Sequence, residues 1–285
     1  MERNTAKRTL EKLLSVCICL CMLGAMLPAQ VFAEEADTAQ TETVQDTAPK
    51  DTVHLSSADD LIQLAKNCRL DSWSQNRTVV LEADVDLSSV DFNGIPSFGG
   101  TWEGQNHAIT GLSLSQDGSV QGLFRYVQQG ALVRDMTVKG RIKPGGTRAS
   151  VGGIAGSNAG TIENCAFDGV VSGTSQIGGI AGVNTVKGSI NGCTVSGTVY
   201  GSHFVGGVVG QNDGVAANCT NVASVNTTVS QNEVKLNDLT LDNVLKTEKA
   251  NDVTDAGGIA GNNAGVLRAC INRGTIGYSH IGHNV

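Results

Sequence analysis

Large side chains are scarce in this sequence: aromatic residues make up 4% of it, and there are four prolines. Phe, Trp and Tyr carry the largest buried areas. A chain this poor in them needs many thin, closely stacked layers rather than one thick core. Beyond residue 33 no stretch is long and apolar enough to form a membrane-spanning helix. There is no C-x-x-C pair, which argues against a zinc ribbon. There is no H-E-x-x-H either, so the zinc site of a metallopeptidase helix is absent from this stretch. A formal charge of −7 removes the electrostatic case for nucleic acid or an anionic membrane as partner.

What the first 33 residues do contain is a secretory signal. Arg3, Lys7, Arg8 and Lys12 form a basic start, Leu13 to Leu27 a short apolar run, and Val31-Phe32-Ala33 a small-residue cleavage site. Cleavage leaves 16 basic and 25 acidic residues, a formal charge of −9, with export to the surface or medium expected. Residues 34–52, rich in Thr, Ala, Gln, Asp and Glu, read as a disordered spacer. The five later cysteines, Cys68, Cys165, Cys193, Cys219 and Cys270, are an odd number and do not read as a disulfide framework.

Glycine is abundant, at 36 of 285 residues, and much of it sits in one repeated phrase. Val151-Gly-Gly-Ile-Ala-Gly-Ser-Asn158 recurs as Ile177 to Asn184, Val205 to Asn212 and Ala256 to Asn263. A unit of this length cannot bury its apolar residues alone, so copies must stack. Alignment gives columns. Gly152, Gly178, Gly206 and Gly257 form one, and Asn158, Asn184, Asn212 and Asn263 another. Ile162, Ile190, Ala216 and Leu267 share a third, Cys165, Cys193, Cys219 and Cys270 a fourth, and Val171, Val199, Val225 and Ile276 a fifth. The steps are 26 and 28 residues, then 51, which is one layer plus an insertion at about 226–254. Stacked at the strand spacing of about 4.8 Å, aliphatic and thiol columns fill an interior and asparagine amides bond to one another. The expected fold is all-β, a right-handed parallel β-helix.

The lead-in, 53–150, reads as an N-terminal cap and irregular first layers. Val53-His54-Leu55 suggests a short strand, and Ser57-Ala-Asp-Asp60 a capping box ahead of a helix from Ala58 to Asn67. That helix would cover the open first layer. Thr78 to Leu87 reads as one strand.

The order G-G-I-A-G-x-N-x-G-x-I-x-N-C from Gly152 to Cys165 resembles the GLUG motif of secreted bacterial surface proteins. Phe98-Gly-Gly-Thr-Trp-Glu-Gly104, His107 to Leu112 and Gly122-Leu-Phe124 follow the lead-in usual for that class. The resemblance covers about 53–285. It implies a right-handed β-helix on an exported, adhesin-like protein, similar to the non-catalytic part of bacterial IgA-specific metallopeptidases. The family has no agreed catalytic residues, so none carries over. The chain stops inside a fresh layer, at Ile281 to Val285, which suggests a longer parent protein.

Candidate chemistry is thin. Asp84 and Asp86 would share one face of a strand and are weak calcium candidates, with Asp91 nearby, but the glycine-punctuated loop of a calcium site is missing. His280-Ile-Gly-His283 is at most half a metal site. Arg141-Ile-Lys143 spells a tripeptide of polygalacturonases without its companion motifs, and Glu103 with Asp135 is the conceivable carboxylate pair for glycoside cleavage. Cys68 lacks a histidine partner and reads as a structural thiol. No catalytic residue, cofactor or firm metal site is assigned. The expected function is a non-catalytic surface module that binds a glycan, a matrix protein or another surface through its lateral face or the 226–254 insertion. The alternatives are the scaffold of a larger secreted enzyme and a purely structural stalk.

Overall fold

The computed structural model describes residues 51–146, 148–227 and 255–277. The expected signal peptide, nearly all of the spacer, 228–254 of the insertion, and His280 and His283 lie outside those residues. Among the described residues no helix is long and apolar enough to cross a membrane.

The chain winds into a parallel β-solenoid. One turn runs through four short strands, here Ala149–Gly152, Ala155–Asn158, Thr161–Glu163 and Ala166–Ser172. Each strand pairs in parallel with its counterpart one turn away, which builds sheets of four, six, eight and eight strands along the stack. Alternation does the sorting: in Thr161–Glu163 the central Ile162 is buried and its two neighbours are only partly so.

The interior columns run further than the four regular turns. The isoleucine column begins at Val53 and continues through Val79, Trp102 and Val133 to Ile162, Ile190, Ala216 and Leu267. In this column residues 53–150, expected to be irregular, stack in register with the rest; on the sheet of Thr137–Ile142 the register shifts between Ile109 and Leu112, and the four-stranded sheet begins only at Ala149. Phe98, Trp102 and Phe124 fill the first turns, with ring centroids 5.2–6.2 Å apart. Farther along, valine, isoleucine and alanine fill most of the interior, with the single ring of Phe167 among them, because glycine lets the walls close in.

The repeated phrase is where they close. It forms the corner between the four- and six-stranded sheets. A Cβ on Gly152 would overlap the carbonyl oxygen of Ala155, and one on Gly153 would overlap the ring of Phe167, which projects from another wall of the same turn.

The helix spans Ala58–Asn67. Ser57 Oγ accepts from the Asp60 backbone N–H at 3.2 Å, and Asp60 Oδ2 accepts from the Ser56 N–H at 3.0 Å and from Ser57 Oγ at 2.7 Å. These bonds satisfy donors that a helix start leaves open and hold the Asp60 carboxyl below its ordinary range, the Ser56 N–H contributing most. Leu61 and Leu64 are fully buried in the core of the first turns.

One element differs from the expectation. Thr78 to Leu87 is not a single strand but two, Thr78–Leu81 and Val85–Asp86, in different eight-stranded sheets. The chain turns a corner of the solenoid between them, and continuous alternation hides such a corner because both halves keep one face inward.

Candidate functional site

The asparagine column is a continuous hydrogen-bond ladder. Asn158 Nδ2 donates to Asn184 Oδ1 at 2.8 Å, Asn184 to Asn212 at 2.8 Å, and Asn212 to Asn263 at 2.7 Å. Each amide also donates to the carbonyl of a nearby glycine: Gly160, Gly188, Gly214 or Gly265. Asn158, Asn184 and Asn212 are fully buried. The ladder is scaffold, satisfying a corner that would otherwise bury carbonyls without partners.

A second ladder escaped the sequence reading. Asn221 and Asn272 face inward on the eight-stranded sheet that contains Ala166–Ser172, the long sheet, in the column of Phe167 and Val195, and Asn221 Nδ2 donates to Asn272 Oδ1 at 2.8 Å. Each then donates across a short turn, to Ala223 and Gly274. The signal was present as Asn at one offset in the last two turns, but in earlier turns that offset holds Phe and Val.

The thiol column lies at the next corner. The described cysteines are all free. Cys165, Cys193 and Cys219 donate to the carbonyls of Glu163, Asn191 and Ala217 at 3.2–3.4 Å. Burial pushes the Cys165 thiol up to about 12 and the Cys68 thiol up to about 11. The hydrogen bond with Cys219, together with burial, holds Cys193 well above its ordinary value. Thiols kept protonated in this way are poor nucleophiles and poor metal ligands. Cys270 and Leu267, in the last described turn, are partly exposed.

The carboxylates are engaged as well. Glu103 is bidentate to Arg134, at 2.7 and 2.8 Å, and Asp135 lies 3.7 Å from the same guanidinium. The pair considered for glycoside cleavage thus shares one cation, and neither member faces the other across an open groove. Asp84 and Asp86 do both lie exposed on the outer surface. Asp84 accepts from the Ala108 N–H at 2.8 Å and sits 3.1 Å from His107 Nδ1; Asp86 accepts from the Ser88 N–H at 2.9 Å and from Ser88 Oγ. These bonds, the backbone N–H first in each case, lower both carboxyls. Asp84 precedes the strand that holds Asp86, and among the described residues no three acidic, histidine or cysteine side chains converge as a metal site. His54 Nδ1 lies 2.6 Å from Glu82 Oε1.

The outer faces remain. On the long eight-stranded sheet, Thr137, Lys139 and Arg141 point outward from the strand Thr137–Ile142, alternating with buried Val138 and Ile142, and exposed Lys143 continues the row. Arg141 and Lys143 are the outward residues of the tripeptide noted in the sequence. On the neighbouring strands Asp168 is level with Lys139, and Ser113 and Val170 are level with Arg141.

No protein-family model matches the chain. A stretch of 128 residues, 39% of the chain, is 28% identical to halomucin of Haloquadratum walsbyi, and it spans 1% of that protein's length. Among solved structures, the fold is similar to that of a protein of Bacteroides ovatus provisionally named as an immunoglobulin A1 protease: the TM-score is 0.50, the identity 17%, and the match covers 79% of this chain and 77% of that one. At that identity the likeness is one of fold, a parallel β-solenoid in both proteins.

Proposed function

We propose that the chain is a non-catalytic, secreted or cell-surface β-helix module of the GLUG-repeat kind, which binds a glycan, a matrix protein or another surface through its outer faces. The observation that carries this reading is the division of labour among polar side chains. The asparagine and thiol columns and the carboxylates discussed above are spent on the scaffold, whereas the outer rows of the long sheet lie open to solvent. The secretory reading of residues 1–33 supports export.

The test is an array of glycans and matrix proteins probed with the purified chain, alongside assays for released reducing sugar and peptide. Retention on a defined subset without product is the expected result. Product release, or retention of nothing, overturns the reading. Export is checked separately, by sequencing the N-terminus of the protein recovered from the producing cells, which is expected to begin at Glu34.

A second reading, scaffold of a larger secreted peptidase, draws on the fold shared with the Bacteroides ovatus protein. Reading the gene past Val285 separates the two, since a downstream H-E-x-x-H favours the scaffold.

A further inference from the structure

The row on strand Thr137–Ile142 gathers three cations at successive outward positions. On the other eight-stranded sheet, by contrast, Glu103 and Arg134 stand opposite each other on adjacent turns and pair. Lys139, Arg141 and Lys143 stand on one face of one strand, all exposed, and no salt bridge among the described residues involves any of them. Consecutive outward positions are about 6.6 Å apart, so the three cations span about 13 Å along the strand. Like charges this close repel, and Asp168, level with Lys139, offsets only one of the three.

The surroundings narrow the kind of partner. The one carboxylate beside the row, Asp168, already accepts from Ser196 Oγ at 2.8 Å. Thr137 begins the row and Ser113 stands next to Arg141, so hydroxyls accompany the cations. The strand pairs in parallel on both sides, with a register shift on one of them between Ile109 and Leu112. Nucleic-acid surfaces of this type add aromatic side chains on which bases stack, and none stands in this row.

We propose that Lys139, Arg141 and Lys143 form a binding strip for an acidic polysaccharide, with the sugar chain lying along the strand, its carboxylates on the cations and its hydroxyls on Thr137 and Ser113. The planar Arg141 guanidinium can grip a carboxylate through two parallel N–H bonds, and the flanking lysines act as point charges. This rests on the reading of the chain as a binding module and names the site and ligand class within it.

The test compares three proteins: the unaltered chain, the strip variant Lys139→Gln/Arg141→Gln/Lys143→Gln, and a control with the same charge change elsewhere, Arg69→Gln/Lys187→Gln/Arg268→Gln. The probes are polygalacturonate, its methyl ester, a neutral glucan and single-stranded DNA. The expected result is binding of polygalacturonate alone, weakened roughly tenfold in the strip variant and by raised salt, and nearly unchanged in the control. Thermal unfolding of all three proteins shows whether the fold is kept; the three positions are exposed, so the strip variant should melt with the parent. Equal binding by the strip variant and the parent overturns the proposal, as does equal loss in the control, equal binding of the methyl ester, or tighter binding of DNA. If the parent instead binds a neutral glycan or a matrix protein and the strip variant does so equally, the strip is wrong while the binding-module reading stands.

Discussion

Gly153 and Phe167 compete for one space: the Cβ that Gly153 lacks would overlap the Phe167 ring on another wall of the same turn. The same relation recurs between Gly179 and Val195, and between Gly207 and Asn221. The second glycine of the repeated phrase is therefore a steric requirement of a narrow interior, set both by the side chain across the turn and by the carbonyl of the corresponding glycine in the next turn, Gly179, Gly207 or Gly258.

Gly153→Ala should destabilise the protein by about 1–3 kcal/mol, the usual cost of overpacking. Phe167→Ala should cost about 3–5 kcal/mol by itself. The double variant should cost less than the sum of the two, because losing the ring relieves one of the two overlaps of the new methyl, that with the Gly179 carbonyl remaining. Urea unfolding of all four proteins measures the coupling, and strict additivity would mean that the two residues do not share that space.

Asn184 sits mid-ladder, donating to Asn212 and accepting from Asn158. Asn184→Ala removes an acceptor and a donor at once and should cost about 2–4 kcal/mol, since each buried group left without a partner costs about 1–3 kcal/mol. Asn184→Asp is expected to be worse at neutral pH than in acid, because a buried carboxylate would face the Asn212 oxygen. A pH-independent loss in Asn184→Asp would count against a dry, bonded ladder.

Ile162 is fully buried and Leu267, five turns along the same column from Trp102, is 40% exposed. Ile162→Ala should cost about 2–5 kcal/mol. Leu267→Ala should cost clearly less, because less of its surface is removed from water. Equal losses in thermal or denaturant melts would contradict the difference in burial.

Native-state thiol labelling should follow burial. Cys165, raised to about 12, should stay unreactive at pH 8 until the protein unfolds, and Cys270 should be modified first. Mass spectrometry of a timed alkylation gives the order. Early labelling of Cys165 would mean that its corner opens.

Asp60 has a lowered folded-state pKa, through the Ser56 and Ser57 bonds. The sign follows: its contribution is present above the unfolded value of about 3.9 and is lost as pH falls through the lower folded value. An NMR titration of the Asp60 carboxyl should show a midpoint below that of an unfolded peptide. A midpoint at or above it would remove the cap bonds.

Much of this architecture was legible because a solenoid writes its contacts as repetition. Gly152, Asn158, Ile162, Cys165 and Val171 each recur at one offset, and strand pairing sets those offsets side by side. Ala58–Asn67 was legible through its cap. The corner between Leu81 and Val85 was not, because inward-facing residues alternate straight through it. The pairing of Asn221 with Asn272 was hidden by Phe167 and Val195 at the same offset. The cationic row was visible as a tripeptide, but that Arg141 and Lys143 point outward while Ile142 is buried emerges only with the strand.

The long step between Asn212 and Asn263 carries a consequence for how such a chain can change. Those two amides meet across 51 residues, at 2.7 Å, as closely as Asn184 and Asn212 meet across 28. The pairings of Gly206 with Gly257 and of Val209 with Ala260 therefore follow the repeated phrase and not the number of residues between its copies. A lineage could change the sequence between two copies of the phrase while inheriting the stack they build.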